Sequence, residues 1–216
     1  MRDISTLREV IENGTSIYGQ GYVLKYYVDD LNMKHGPYVV LFNNGNVCLE
    51  RFYVDDMIHG PSTHYYYNTR PYIISNYDRG IMNGQYIEYY ENGQARVITT
   101  MKNGKVDGLF LEYYANGQER KHTMAINGKT DGLCLEYWYN GDPLRKCTFV
   151  SGKREGLYES WHRKDEYSRK AYYVDDLLDG LCEDFHLHNK IFARTYYSRG
   201  TVIKREEYLL SGKQIR

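Results

Sequence analysis

The sequence predicts an all-β fold, an elongated single-layer antiparallel meander built from 24-residue β-hairpin repeats. A fixed period of this length is typical of a repeat array, in which each unit buries its surface against its neighbours. Dipeptides that favour turns recur at two further points of each period, and no segment between residues 36 and 200 shows a clear helical spacing. The period is carried by seven glycines: Gly36, Gly60, Gly84, Gly108, Gly132, Gly156 and Gly180.

The N-terminal segment is predicted to cap this array with a short helix. Residues 3–12 have apolar side chains at helical spacing, with Ile4, Leu7 and Ile11 on one face. Thr6 and Glu9 suit a capping box, and Asn13-Gly14 can terminate the helix. We therefore expect residues 1–14 to form a helical cap that covers the first strand edge.

Residues 15–200 are predicted to form the repeat array, and residues 201–216 a final strand or cap. We number each repeat from its recurring glycine, which is position 0. Turn residues then fall at positions 8–9, as in Asn116-Gly117, and at positions 19–20, as in Asn127-Gly128. Asn-Gly between alternating apolar runs favours a type I′ turn, which needs positive φ at both central residues. We expect such two-residue turns at both points.

The turn at positions 8–9 also predicts a register. A two-residue loop pairs positions that sum to 17, which places Glu112 opposite Lys121 and Glu136 opposite Arg145. Opposite charges facing each other across strands contribute roughly 0.2–1 kcal/mol each, so they support this register. Cys134 then faces Cys147, and a cross-strand disulfide is compatible with that register. Free thiols are the expectation for a reducing compartment.

Side-chain alternation divides the repeat into two faces. The odd face carries positions 1, 3 and 5 and the residues paired with them; it has bulky residues at position 5 and is predicted to be the packed face. The even face carries positions 2, 4 and 6 and their partners, and it combines aromatic with acidic side chains. The even face is the candidate interaction face, with these residues: Tyr86, Glu88, Tyr90, Phe110, Glu112, Tyr114, Glu136 and Trp138.

Composition narrows the function classes. The 28 Lys and Arg residues balance 28 Asp and Glu residues, and this zero net charge argues against nucleic acid or an anionic membrane as the main partner. No stretch is long and apolar enough to suggest a transmembrane helix, and the N-terminus shows no signal-peptide pattern. The expected location is therefore intracellular and cytoplasmic. The 25 tyrosines suit β surfaces that are half exposed.

The repeat unit resembles the MORN repeat family, in its variant form. The resemblance rests on Asp107-Gly108, the Tyr113-Tyr114 pair and Asn116-Gly117, followed by Asn127-Gly128-Lys129 and Gly132. It covers about residues 36–200. The family implies single-layer β-hairpin arrays that act as scaffolds or interaction modules, and links some members to phospholipids or to dimerisation. Because such arrays are common in bacteria and large DNA viruses, it also implies a viral structural or host-interaction protein, and then a virion component.

Catalytic and metal chemistry are not expected. His162 and His186 both lie at position 6, but one repeat separates them by roughly 10 Å of strand spacing, too far to share one zinc ion. The acidic residues at position 4 are equivalent and similarly spaced, whereas catalytic carboxylates need distinct environments at closer range. No common catalytic or nucleotide-binding motif is present, so we expect no cofactor and no enzyme activity.

The sequence therefore predicts a non-enzymatic scaffold that binds another protein, with a homo-oligomer as one form of that binding. Two alternatives remain. The chain could instead be a module that associates with membrane phospholipid, or an aromatic repeat that binds glycans.

Overall fold

A computed structural model of the chain describes residues 7–15, 21–163 and 165–215. These residues contain nineteen β-strands, all paired antiparallel, and no α-helix. They divide into two compact units, residues 1–105 and 106–216. The predicted all-β hairpin meander is confirmed, because the strands of each unit pair with their neighbours along the chain.

The unit of residues 1–105 contains eight strands, each hydrogen-bonded to the one before and the one after it within the unit. Their bounds are β1 (Arg8–Thr15), β2 (Gly21–Val28), β3 (Lys34–Phe42), β4 (Val47–Val54), β5 (Met57–Tyr65), β6 (Pro71–Asp78), β7 (Ile81–Tyr89) and β8 (Ala95–Lys102).

The unit of residues 106–216 continues the pattern, with β9 beginning at its boundary. The two-residue β15 and the following β16 both pair with β14. The bounds are β9 (Lys105–Tyr113), β10 (Glu119–Ile126), β11 (Lys129–Tyr137), β12 (Pro143–Val150), β13 (Lys153–Arg163), β14 (Glu166–Val174), β15 (Leu177–Leu178), β16 (Gly180–His186), β17 (Lys190–Ser198), β18 (Thr201–Tyr208) and β19 (Gln214–Ile215). A 3-10 turn over Leu187–Asn189 joins β16 to β17.

The predicted N-terminal helix is wrong for the part of it that the structure describes. Residues 8–15 form β1, which pairs with β2 from Arg8 opposite Val28 to Thr15 opposite Gly21; residues 3–6 lie outside the described residues. A ten-residue helix is only marginally stable by itself. Pairing with β2 satisfies the backbone groups of both segments, which the helix would leave unpaired on the strand edge.

The turns at positions 19–20 have the predicted conformation. Asn103 and Gly104 both have positive φ, 50° and 75°, and Asn127 and Gly128 repeat this with 51° and 80°. Where Asp175 and Asp176 replace Asn-Gly, both still have positive φ, and the Asp176 carboxylate accepts a 3.0 Å hydrogen bond from the Arg154 N–H of the neighbouring hairpin. That contact offsets part of the cost of placing a non-glycine residue in this region.

The turns at positions 8–9 differ from the prediction in type. Gly93 N–H donates to the Tyr90 carbonyl (2.9 Å) and Tyr90 N–H donates to the Gln94 carbonyl (2.8 Å), so the loop has three residues. The glycine alone has positive φ, 92°, while the Asn92 side chain accepts a 2.9 Å hydrogen bond from Gln94 N–H. Asparagine is therefore used here for its hydrogen-bonding side chain and not for a left-handed backbone.

The predicted register is nevertheless correct, because two departures cancel. The three-residue loop shifts the pairing by one residue, so that Tyr89 faces Ala95, and a bulge at Arg96 shifts it back, so that Glu88 faces Val97. The same compensation places Glu136 opposite Arg145 and Cys134 opposite Cys147.

The glycine at position 0 lies in a second bulge inside the strand. Tyr77 pairs with Met82 and Ser75 pairs with Tyr86, so three residues around Gly84 face one residue of the neighbouring strand. Gly84 has a φ of 103°, which glycine adopts at no steric cost. The 24-residue period thus marks one bulge per repeat, which needs a left-handed backbone each time.

The residue before this glycine fastens the following turn. The Asp107 carboxylate accepts a 2.9 Å hydrogen bond from Asn127 N–H, and Asp131 accepts one of 2.8 Å from Ser151 N–H. These amides belong to residues with positive φ at position 19. In the recurring Asp-Gly dipeptide, the carboxylate therefore holds the following turn and the glycine forms the bulge.

The two faces are buried in the opposite sense to the prediction. Most of the buried side chains that the structure describes lie on the even face, and those at positions 2 and 15 are small: Ser62, Ser75, Thr99, Thr123, Cys134, Cys147, Ala171, Cys182 and Thr195. On the odd face, Leu109, Leu133 and Leu157 at position 1 are 40–46% exposed. Small residues are fully covered by longer side chains on the same face, whereas bulky residues of a single sheet need a second layer for that.

We expect Gly132→Ala to destabilise the chain by about 1–2 kcal/mol, because the cost of a left-handed backbone falls on the new Cβ. Gly132 has a φ of 85° and no atom lies within 4 Å of the added Cβ, so steric crowding does not contribute. Gly21→Ala is the control, since its surroundings are equally open and its φ lies outside the left-handed region. Urea unfolding measures both variants; equal stabilities would contradict this role for the glycine.

Candidate interaction face

The candidate residues are distributed over both units. Tyr86, Glu88 and Tyr90 belong to the unit of residues 1–105, and the remaining five belong to the unit of residues 106–216. In the latter, Phe110 and Glu112 lie on β9 and Tyr114 directly follows it. Glu136 lies on β11 and Trp138 directly follows it. Each set is described within its own unit.

The acidic residues of this face are held in ion pairs. Glu88 pairs with Arg96, and Glu112 pairs with Arg120, which lies at the equivalent place in the next hairpin. The glutamate side chains are only 12–16% exposed, whereas the arginines are about half exposed. In such semi-exposed positions each pair contributes about 0.5 kcal/mol, so the carboxylates mainly neutralise and orient the arginines.

Glu136 connects two hairpins of the second unit. Its carboxylate accepts a 2.5 Å hydrogen bond from Arg145 Nε and lies 3.8 Å from Lys121 Nζ. Lys121 is also the ladder partner of Glu112, but its ammonium group lies beside Glu136, while Glu112 pairs with Arg120. The hydrogen bond to Glu136 raises the pKa of Arg145, because the carboxylate favours the charged guanidinium.

The aromatic residues at position 6 bind the next repeat. Tyr114 donates its hydroxyl to the Tyr137 carbonyl at 2.8 Å, and Tyr66 donates to the Tyr89 carbonyl at 2.7 Å. His162 Nε2 lies 3.0 Å from the Phe185 carbonyl oxygen, the equivalent acceptor. These contacts span 23 residues each, so one side chain per repeat fixes the spacing to the following hairpin.

Trp138 is the most exposed member of the candidate interaction face. Its side chain is 41% exposed, and Tyr139 beside it is 58% exposed. Tyr114 stacks edge-on against Tyr139 with ring centroids 5.3 Å apart, and the Tyr139 ring stays more than half exposed.

Tyr86, in the unit of residues 1–105, is more covered than Trp138, and its burial raises its pKa.

Sequence reasoning missed the surface on the opposite side. Leu109 faces Met124 and Leu157 faces Tyr172 across their strand pairs on the odd face, and all four are at least 40% exposed. The recurring leucine at position 1 is the sequence pattern that marks this surface, although regular spacing of apolar residues predicts a packed face. An exposed apolar row of this kind marks an interaction site more often than an isolated apolar residue does.

In the described part of the chain, three further features bear on function: groups that could hold a metal ion, concavities, and helices that could cross a membrane. Among the described residues, no group of three or more His, Cys, Asp or Glu side chains is placed to hold a metal ion. Two concavities of about 390 Å³ lie elsewhere, one lined by apolar residues including Leu7, Pro37 and Phe52, the other by polar and apolar residues including Lys190, Arg194 and Tyr208. None of the helical segments that the structure describes is long and apolar enough to cross a membrane.

We expect Tyr114→Phe to lower the free energy of unfolding by about 1 kcal/mol, because it removes the hydrogen bond to the Tyr137 carbonyl and keeps the ring. Tyr139→Phe, at an exposed ring of the same stack, is the matched control and should change stability by less than about 0.5 kcal/mol. Chemical denaturation of both variants measures the difference. If the two substitutions cost the same, the hydroxyl does not hold the repeats together.

Comparison with known proteins agrees with the repeat architecture. Residues 82–103 match the family model described as MORN repeat variant. No characterised protein was found to match the chain as a whole. Repeats of this family are generally non-enzymatic modules for protein or membrane interaction. The matched segment is thus similar to a MORN repeat variant, and its glycine spacing recurs along the array.

Proposed function

We propose that this chain is a non-enzymatic scaffold that binds another protein through the odd face of its 106–216 unit. The observation that supports this is a row of exposed apolar side chains on that face, in which Leu109 faces Met124 and Leu157 faces Tyr172. At position 1 the row contains Leu109, Leu133 and Leu157. Its other members, 44–54% exposed, are Met124, Ile126, Val150, Tyr172 and Val174.

The charges around this row favour a partner with acidic residues. Lys129 lies opposite Ile126 and shares the odd face with the apolar row. Lys153, opposite Val150, lies 3.0 Å from the Asp175 carboxylate, so its charge is balanced within the chain. Lys146 is exposed on the same face, opposite Leu135. A partner of complementary chemistry therefore presents an apolar patch bordered by Asp and Glu, which would guide its approach and orientation.

The candidate interaction face is less suited to this role. Glu112, Glu136 and Tyr114 already bind groups of their own chain, and a partner would have to replace those contacts. Trp138 keeps enough exposed area to take part in binding, so binding through the candidate interaction face would depend mainly on this side chain.

We expect the double variant Leu133→Ser/Leu157→Ser to weaken partner binding at least about 10-fold, because it removes apolar area buried by the partner and leaves two serine hydroxyls in the interface. A photo-crosslinking amino acid at residue 133 of the otherwise unchanged chain, used in the native cell extract, would capture and identify the partner by mass spectrometry. Binding of that purified partner to each variant would then be measured by calorimetry.

Trp138→Ala is the matched variant on the other face and should leave the affinity within about 2-fold. Loss of binding in Trp138→Ala with full binding in the leucine variant would place the site on the even face. Unchanged binding in both would contradict an interaction through either surface. Crosslinking of the chain to itself would identify a homo-oligomer, which sedimentation would confirm.

A phospholipid surface is the second candidate, because exposed lysines beside an apolar row also suit an anionic membrane. In that case the chain should float with vesicles that contain phosphatidylserine and not with phosphatidylcholine alone. Lys129→Glu/Lys146→Glu should abolish this flotation, and Lys25→Glu in the other unit is the charge-matched control. Absence of flotation with either vesicle at low salt would exclude this alternative.

Two narrower hypotheses from the sequence stay predictions. Glycan binding by the tyrosine-rich surface would be tested on a glycan array. A role as a viral structural or host-interaction protein would require detection of the chain in purified particles.

A further inference from the structure

Cys134 on β11 and Cys147 on β12 face each other directly across the strand pair. Both lie on the even face and are almost fully buried, at 2% and 5% exposure, and both are free thiols. Equivalent places in other repeats hold either two small residues, as in Ser62 opposite Ser75, or a ring opposite a small residue, as in Tyr158 opposite Ala171. Packing is satisfied there without sulfur, so a pair of thiols adds chemistry that packing does not need.

The spacing of the pair is close to that of a disulfide. Directly opposed residues in an antiparallel sheet have Cβ atoms about 4.5–5.5 Å apart. A disulfide needs about 3.5–4.5 Å, so a shift of about 1 Å between the two strands brings the sulfur atoms to bonding distance. Cys182 provides the contrast, since it has the same position in its repeat and the same 2% exposure but faces Thr195.

The two thiols are also chemically distinct. A hydrogen bond from the Cys147 thiol stabilises the Cys134 thiolate and, together with the charge of Lys121, lowers the pKa of Cys134, while burial and the Glu136 carboxylate act in the opposite sense. The same contact and burial raise the pKa of Cys147. The thiolate is the attacking group in thiol–disulfide exchange. In this arrangement Cys134, which has the lower pKa, attacks and Cys147 resolves.

We infer that Cys134 and Cys147 form a reversible dithiol–disulfide site, oxidised by exchange with a small-molecule disulfide. The Cys134 thiolate attacks one sulfur of the small disulfide, which forms a mixed disulfide and releases one thiolate. Cys147 then loses its proton and attacks the Cys134 sulfur, which forms the Cys134–Cys147 bond and releases the second thiolate. Two electrons pass from the protein dithiol to the small disulfide, which leaves as two thiols.

Oxidation would link β11 to β12 and restrain their hairpin, because the bond limits the open forms of the loop between them. Since both sulfur atoms are nearly buried, the exchange requires the strands to part briefly and is expected to be slower than at an exposed thiol. The expected consequence is slower amide hydrogen exchange in β11 and β12 of the oxidised protein.

The test is equilibration of the folded chain with mixtures of oxidised and reduced glutathione at neutral pH, followed by an acid quench, alkylation and trypsin digestion. Arg145 and Lys146 lie between the two cysteines, so trypsin separates them and the new bond appears as a linked pair of peptides. We expect this linked pair to accumulate as the mixture becomes more oxidising and to disappear with dithiothreitol. Cys182 should remain available for alkylation after denaturation.

Cys147→Ser is the control for the resolving step, and it should give at most a glutathione adduct on Cys134. Equilibrium would be approached from both the reduced and the oxidised protein, so slow access to the buried sulfurs cannot hide the bond. A persistent glutathione adduct in the unmodified chain, no linked peptide in excess oxidised glutathione, or equal oxidation of Cys182 would each overturn the inference.

Discussion

Coverage by neighbouring side chains is the constraint on which this structure depends. Within each unit, hydrogen-bonded strands pack against one another, so a side chain becomes fully buried only if residues on the same face cover it. Small residues such as Ser75 and Ala171 satisfy that condition, with larger groups such as Tyr86 and Tyr158 placed opposite them. Bulky residues at position 1 do not, and Leu133 stays about half exposed. The same constraint therefore produces both a core of small residues and an apolar surface.

Backbone geometry supplies the second requirement, because each repeat reverses direction twice within 24 residues. Glycine with positive φ forms the bulge, as at Gly84, and the loop, as at Gly93. Carboxylates and amides then secure the same points, as Asp131 does for the amide of Ser151. Hydroxyl groups such as that of Tyr114 connect one repeat to the next. The recurring turn and bulge residues of the array are thus explained by a hydrogen bond or a backbone conformation.

How far the sequence predicts the candidate site differs between its parts. The register placed Glu136 opposite Arg145, and the structure confirms that pair, because turn residues and charges are local signals. The sequence did not reveal that these pairs are internal, since an acidic residue beside an aromatic one looks the same whether it binds its own chain or a partner. The exposed row around Leu133 and Leu157 was missed for a related reason, since apolar residues at regular spacing mark a core in most folds.

The period and the antiparallel pairing follow from the sequence alone, because positive φ at glycine and charge pairing across one hairpin act over a few residues. Even the wrong loop type at Asn92-Gly93 kept the right register, since the extra loop residue and the bulge at Arg96 cancel. Only the tertiary structure decided that residues 8–15 form a strand, because β2 offers backbone partners that a local pattern cannot show. It also decided which face is buried, because that depends on the size of side chains contributed by neighbouring repeats.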